Sequence, residues 1–257
     1  MKASSNGGIA AQSGHWLLAF SLIFLSLIPQ LASADDSKDK AFAQRAEAAF
    51  QQARSQYRSQ PNDPVAAWQF GRTCYDWADF ATSRSGRADI ANQGIDACQH
   101  SLALTNSSAA HYYQGLNLGQ LAQSETLGGL KIVHEMVHEF ATAINIDPHF
   151  DFAGPERSLG LLYRDCPGWP ISIGNRVKAR KYLEDAAQMA PNDPENILNL
   201  AETYLKWGEV PDAKKQLSAV DALWPKAKKE LTGPAWDRDW DDWTNRREAL
   251  RQKLTSN

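Results

Sequence analysis

The sequence predicts an all-α protein, a helix-turn-helix solenoid or bundle of about ten helices. Three observations predict it. Apolar residues recur at helical spacing, and no segment alternates apolar and polar residues at period two. Pro191-Asn192-Asp193-Pro194 repeats Pro61-Asn62-Asp63-Pro64 letter for letter, and a small residue, Gly71 or Ala201, follows seven positions after each second proline. Ala179, Leu183, Ala186 and Pro191 return 34 residues later as Ala213, Leu217, Val220 and Pro225.

Each element then follows from residue chemistry. The spacing predicts helices over 39–60, 64–83, 86–104, 108–123, 126–146, 154–165, 176–190, 194–208, 210–223 and 234–254, with ends uncertain by about 2–4 residues. Asp63 and Asp193 are ready N-caps, each with proline at the first helical position, and open the helices at 64 and 194. Pro148, Pro191 and Pro225 are expected to end helices, because proline lacks the amide and constrains the residue before it. Two antiparallel helices approach closely only where side chains are small, which accounts for Gly71, Ala143, Ala179, Ala201 and Ala213. Phe140, Leu183 and Leu217 fill the space beside them. The segment Cys166-Pro-Gly-Trp-Pro-Ile-Ser-Ile-Gly174 interrupts this order, stretching the interval from Pro148 to Pro191 to 43 residues. Such a loop on a regular scaffold is a place for function; the alternative is an insertion that packs Trp169 and Ile171 onto the helices.

The amino terminus reads differently. Lys2 is the only charged residue before Asp35, an apolar run from Trp16 to Ile28 follows it, and Pro29 and Ala32-Ser33-Ala34 complete the pattern. This is the layout of a secretory signal peptide cleaved near Ala34, the alternative being a retained anchor. The expected organisation is 1–34 signal peptide, 35–233 repeat domain and 234–257 C-terminal capping helix, in an exported, periplasmic or secreted protein. With 43% hydrophobic residues and a net charge of -3, the chain has ample core and no basic footprint for nucleic acid. Of three cysteines, Cys74 and Cys98 are the candidate disulfide, on consecutive helices; the alternative is that all three are small buried hydrophobes.

A period of 34 with small residues at fixed helical positions and a closing proline matches the tetratricopeptide repeat. The segment Asp147-Pro-His-Phe-Asp-Phe-Ala-Gly154-Pro155-Glu-Arg157-Ser-Leu-Gly160-Leu-Leu-Tyr163, with Pro167-Gly-Trp-Pro170, Lys178-Ala-Arg-Lys-Tyr-Leu183 and Leu200-Ala-Glu202, resembles a group of exported tetratricopeptide proteins. That group includes the T-components of tripartite ATP-independent periplasmic (TRAP) transporters, and the helical domain of regulators of microtubule dynamics is similar. The resemblance spans about 64 to 225. It implies an auxiliary, non-enzymatic role: a helical bundle or small homo-oligomer that contacts a periplasmic solute-binding protein, or shelters a small ligand, without a cofactor.

Two motifs invite other chemistry. His134-Glu135-Met-Val-His138 fits H-E-x-x-H, in which two histidines one turn apart bind zinc and the glutamate polarises a water; Glu156 is the available third ligand. The motif sits inside a repeat's second helix, without its usual surroundings, so two plain surface histidines are the alternative. Asp237-Arg-Asp239-Trp-Asp241-Asp242 through Glu248 imitates a calcium loop, yet Asp242 stands where the turn requires glycine. Trp236, Trp240 and Trp243 instead form a helical stripe suited to covering the end of an array. Gly128-Gly129 and Gly174 lack the Lys-Ser/Thr of a phosphate loop.

First helices of such units line a concave surface, which places Trp68, Arg72, Tyr75, Asp76, Tyr112, Arg157 and Arg164 toward a groove. Aromatics supply area and arginine holds carboxylates bidentately, a mixture suited to a peptide terminus, an acidic loop or an organic acid. Replacing Arg72 and Arg157 together is expected to impair binding without unfolding the chain.

Overall fold

The computed structural model describes residues 29–124 and 129–255. The expected signal peptide falls mostly outside the described residues, as does Gly128; residues 29–34 already belong to the first helix. Among the described residues the chain is helical throughout: α1 (Pro29–Ser59), α2 (Pro64–Ala78), α3 (Arg84–Leu104), α4 (Ser108–Ser124), α5 (Gly129–Ile146), α6 (Phe150–Asp165), α7 (Arg176–Met189), α8 (Pro194–Lys206), α9 (Val210–Glu230) and α10 (Asp237–Thr255), the last entered through a 3-10 turn at Pro234–Trp236. None of these helices is long and apolar enough to cross a membrane.

The caps form where the sequence places them. Asp63 accepts from the Val65 amide at 2.9 Å and Asp193 from that of Glu195 at 3.2 Å. Ser83 and Asn175 do the same for α3 and α7. Two expectations fail. Helix α2 stops at Ala78, ahead of position 83, where the Phe80 and Ala81 amides turn back to the carbonyls of Trp77 and Ala78. Helix α9 runs through Pro225 to Glu230. An internal proline costs a helix about 3 kcal/mol; burial of Trp224 and Ala227 on the same face offsets it, so packing prevails over the local stop signal.

Consecutive helices pair as α2/α3, α4/α5, α6/α7 and α8/α9, and α10 packs on both members of the last pair. Small residues set the approach. A Cβ on Gly71 would stand 2.3 Å from Cys98 Sγ, one on Gly115 would stand 2.6 Å from the Phe140 ring, and one on Gly160 would stand 2.7 Å from Leu183 Cγ. The larger side chain of each succeeding helix thus fills the gap left on its predecessor. Phe140, Leu183, Ala143, Ala179, Ala201 and Ala213 are all essentially inaccessible.

The candidate disulfide is not formed. Cys74 and Cys98 are free and buried, and burial pushes both thiols upward; they act as small core hydrophobes. At the start of α6, Asp151, Phe152 and Ala153 take left-handed φ values of 50°, 55° and 59° before the right-handed helix begins at Gly154. Left-handed backbone costs a non-glycine residue about 1–2 kcal/mol. The turn is held by Asn196, which donates to the Phe152 carbonyl at 2.7 Å.

Gly71→Ala is expected to destabilise the fold by about 1–3 kcal/mol through overpacking. Adding Cys98→Ala should recover much of that loss, since it removes the clashing sulfur. Urea denaturation of the two variants measures both effects.

Candidate functional site

The first helices of the pairs, α2, α4, α6 and α8, adjoin in order, and α10 continues the row. Their shared inner face ends where α10 reaches back to the start of the chain. Arg238 pairs with Asp79 at 3.0 Å, Asp237 with Arg45 at 2.6 Å and Asp241 with Lys38 at 2.7 Å. The inner face is therefore bounded at its carboxyl-terminal side by ties from α10 to α1 and to Asp79 at the end of α2.

Helix α10 is itself anchored by one buried cation. Arg246, 10% exposed, donates to both oxygens of Glu195 at 2.8 and 2.9 Å, to both of Glu202 at 2.8 and 2.9 Å, and to Asn199 at 2.8 Å. Trp243 adds a bond to Glu195 at 2.6 Å. Burial alone would push Glu195 upward, but Arg246 and Arg157 overcome it and hold the carboxyl at about 2. The residues of the imitation calcium loop are thus helical, and three of their carboxylates are engaged by Arg45, Lys38 and Arg246.

Every residue expected in the groove lies on these inner helices, but in two roles. Trp68 stacks on Tyr113 at 5.8 Å, and Arg72 lies over the same ring at 5.9 Å. Arg72 and Asp76 remain open to solvent, with 55% and 45% of their side chains exposed and a separation of 3.9 Å. Tyr75 is half-buried beside them. Tyr112, Arg157 and Arg164 are structural. Tyr112 is buried, its hydroxyl filling the space above Gly154. Arg157 bonds Asn196 at 2.9 Å and pairs with Asp193 and Asp151 at 3.3 and 3.8 Å, bracing the left-handed turn against the cap of α8. Arg164 is engaged by Asp165 and Thr203. The expectation that Arg157 can be removed without structural cost is corrected: its loss would leave Asp193, which is 4% exposed, without its cation.

Sequence spacing did not place Phe152 at the site, and it gave Trp236 and Asp239 other roles, a covering stripe and an imitation calcium loop. Phe152 is 45% exposed and meets the Trp236 ring at 5.9 Å. The left-handed turn presents it, and no helical periodicity signals that. Desolvation is the main cause of raised carboxyls here: Asp76 moves up to about 6 against the pull of Arg72, and Asp239 to about 7 with help from Glu195. Both carboxyls are half-buried, and the water they have lost is what disfavours their charge. The excess charge within reach is negative, because Arg157, Arg238 and Arg246 are already committed to carboxylates.

His134, Glu135 and His138 are all exposed on α5. Glu156 is buried, its Oε2 lacks a hydrogen-bond partner, and burial pushes it up to about 7. The charged groups that act on it are Asp185, Asp147 and Lys181, none of which belongs to the motif it was to complete. Among the described residues no group of three or more His, Cys, Asp or Glu could hold a metal ion.

Residues 174–231 match the tetratricopeptide repeat family profile. The fold is similar to TTC0263, a thermophilic TPR protein of Thermus thermophilus, with a TM-score of 0.60 and 19% identity over 87% of this chain and 94% of that one. Two crystal structures of MamA align at TM-scores of 0.48 and 0.47, each 16% identical, over 79% and 77% of this chain and 98% and 92% of theirs. No curated protein matches the sequence. The chain has an all-α, tetratricopeptide-type helical-repeat fold, the class of protein that generally serves as a scaffold for protein–protein interaction.

Two stability effects follow. Arg246→Met should cost about 3–5 kcal/mol at pH 7, because it strands Glu195 and Glu202 beside one another; urea denaturation reads it. Asp239 has its pKa raised from 3.8 to about 7 in the fold, so its stabilising effect is complete below about pH 4 and lost as pH rises through 7. Asp239→Asn is therefore expected to raise Tm at pH 8 and to leave it unchanged at pH 4, measured by calorimetry.

Proposed function

We propose that the protein is an exported, non-enzymatic adaptor that binds a segment of a partner protein in its concave groove. The observation that carries this reading is the pairing of solvent-reachable Arg72 and Asp76 with the exposed ring of Phe152 and the half-buried Trp236 on one inner face. A partner would gain most at such a place, where it can cover an exposed ring and meet half-buried carboxyls that lack a full complement of cations.

Sequence spacing suggested an acidic partner; the charge balance of the groove favours a basic one. Lysine or arginine on the partner would relieve Asp76 and Asp239, and its apolar neighbours would cover Phe152 and Trp236. The resemblance of residues 64 to 225 to TRAP transporter T-components, together with the signal-peptide pattern of residues 1–34, supports an auxiliary role beside a solute-binding protein in the periplasm. A second reading, a carrier for a small organic cation, draws on the ties from α10 to α1 and α2, which narrow one end of the groove.

Purification of the chain with its partners from the exported fraction tests the adaptor reading. Arg72→Ala with Asp76→Ala should remove the partner that the unaltered chain retains and leave Tm within about 2 °C. An outer-face control, Lys215→Ala, should retain it. Retention by the groove variant would overturn the reading. Partner affinity should also rise between pH 5.5 and 8, because Asp76 and Asp239 lose their protons at about 6 and about 7 and only the charged forms attract a cation. Calorimetric titration across that range checks the sign.

A further inference from the structure

Of the two readings the sequence left for the insertion between α6 and α7, packing of Trp169 and Ile171 onto the helices does not occur. Trp169 is 89% exposed, Ile171 66% and Val177, in the first turn of α7, 78%. The loop beneath them is firmly built. The Gly174 amide donates to Pro167 O at 2.7 Å, the Ile171 amide to Gly168 O at 3.1 Å and the Asn175 amide to Tyr163 O at 2.9 Å. Ile173 is the apolar member that turns inward, joining the central core. At Gly174 the chain passes so close to itself that a Cβ would stand 2.1 Å from Cys166 O. The backbone is thus pre-arranged to hold an indole and an aliphatic side chain out in water, at a cost of about 25 cal/mol for each Å² of apolar surface.

The chain that leaves this tip is locally basic, although the net charge of the whole is -3. Arg176 and Lys178 follow the loop in the exposed first turn of α7, and Arg180 and Lys181 come one turn later. Glu209 takes Arg176 and Arg180, and Asp185 takes Lys181. Lys178 lies over the Tyr163 ring at 4.9 Å.

We propose that this loop is a membrane-docking tip, with Trp169 and Ile171 entering the headgroup–acyl boundary of an anionic lipid surface while Lys178 meets the lipid phosphates. Two exposed apolar side chains ahead of an exposed lysine offer a bilayer both contacts it can make, apolar insertion and pairing with phosphate. Tryptophan suits that boundary because its ring is apolar and its N–H finds acceptors there. Lys178 adds attraction that salt weakens. The proposal stands independently of the groove, from which no residue is borrowed.

The test uses the full chain, Trp169→Phe, and Trp169→Ser with Ile171→Ser, mixed with vesicles of phosphatidylcholine alone or with 30% phosphatidylglycerol. The anionic vesicles should bind the unaltered chain, and brominated lipids should quench a share of its indole fluorescence that is missing in Trp169→Phe. That difference isolates the loop from any binding by the apolar amino-terminal run. The double serine variant should keep its Tm, because both side chains are exposed, and should bind on the order of tenfold more weakly. Lys178→Gln should cost about fivefold. Equal quenching in Trp169→Phe, binding that ignores lipid charge and salt, or a Trp169-dependent complex with protein in the absence of vesicles would each overturn the proposal.

Discussion

Close approach between successive helices is the constraint on which the rest of the structure depends. Backbones can come that near only where one partner lacks a large side chain, and each such gap receives a specific filler from the next helix. Cys98 lies against Gly71, Phe140 against Gly115 and Leu183 against Gly160. The contacts are local along the chain, so each pair positions the next, and the inner face is the cumulative result of these steps. A side chain lining the groove is placed by a steric fit two or three helices away from it.

The array then departs from simple repetition at two places, and both shape its surface. At the start of α6 three residues run left-handed, and the strain is met by bonds from Asn196 and Arg157. That turn sets Phe152 toward Trp236. At the other end α10 replaces a full repeat. Its tryptophans cover the apolar end left by α8 and α9, and Arg246 locks it to α8 with a fully bonded guanidinium. A buried cation of this kind fixes one register for the helix, since any slip would leave Glu195 and Glu202 without it.

Electrostatics divides the polar residues into those that build and those that remain available. Arg157, Arg164 and Arg246 are buried and committed to carboxylates or hydroxyls. Arg72, Asp76 and Asp239 still reach water, and the two carboxyls are held in a setting that disfavours their charge. The zinc-like histidines belong to neither group: they stand exposed on α5, and the one buried glutamate that could have joined them faces other neighbours.

The sequence by itself determined the helical class, the repeat period, the caps at Asp63 and Asp193 and the inner helix on which each groove residue lies, because these depend on local spacing and backbone chemistry. Only the tertiary structure decided which of those residues are free. Arg72 and Arg157 both lie on inner helices, yet one meets solvent and the other meets Asp193 and Asn196 from the next pair as well as Asp151 of its own helix. Likewise Pro225 reads as a stop and is overridden by packing, and Trp169, for which the sequence left packing or exposure open, stands in water. Burial and pairing depend on what lies across the fold, and periodicity along one helix carries no record of that.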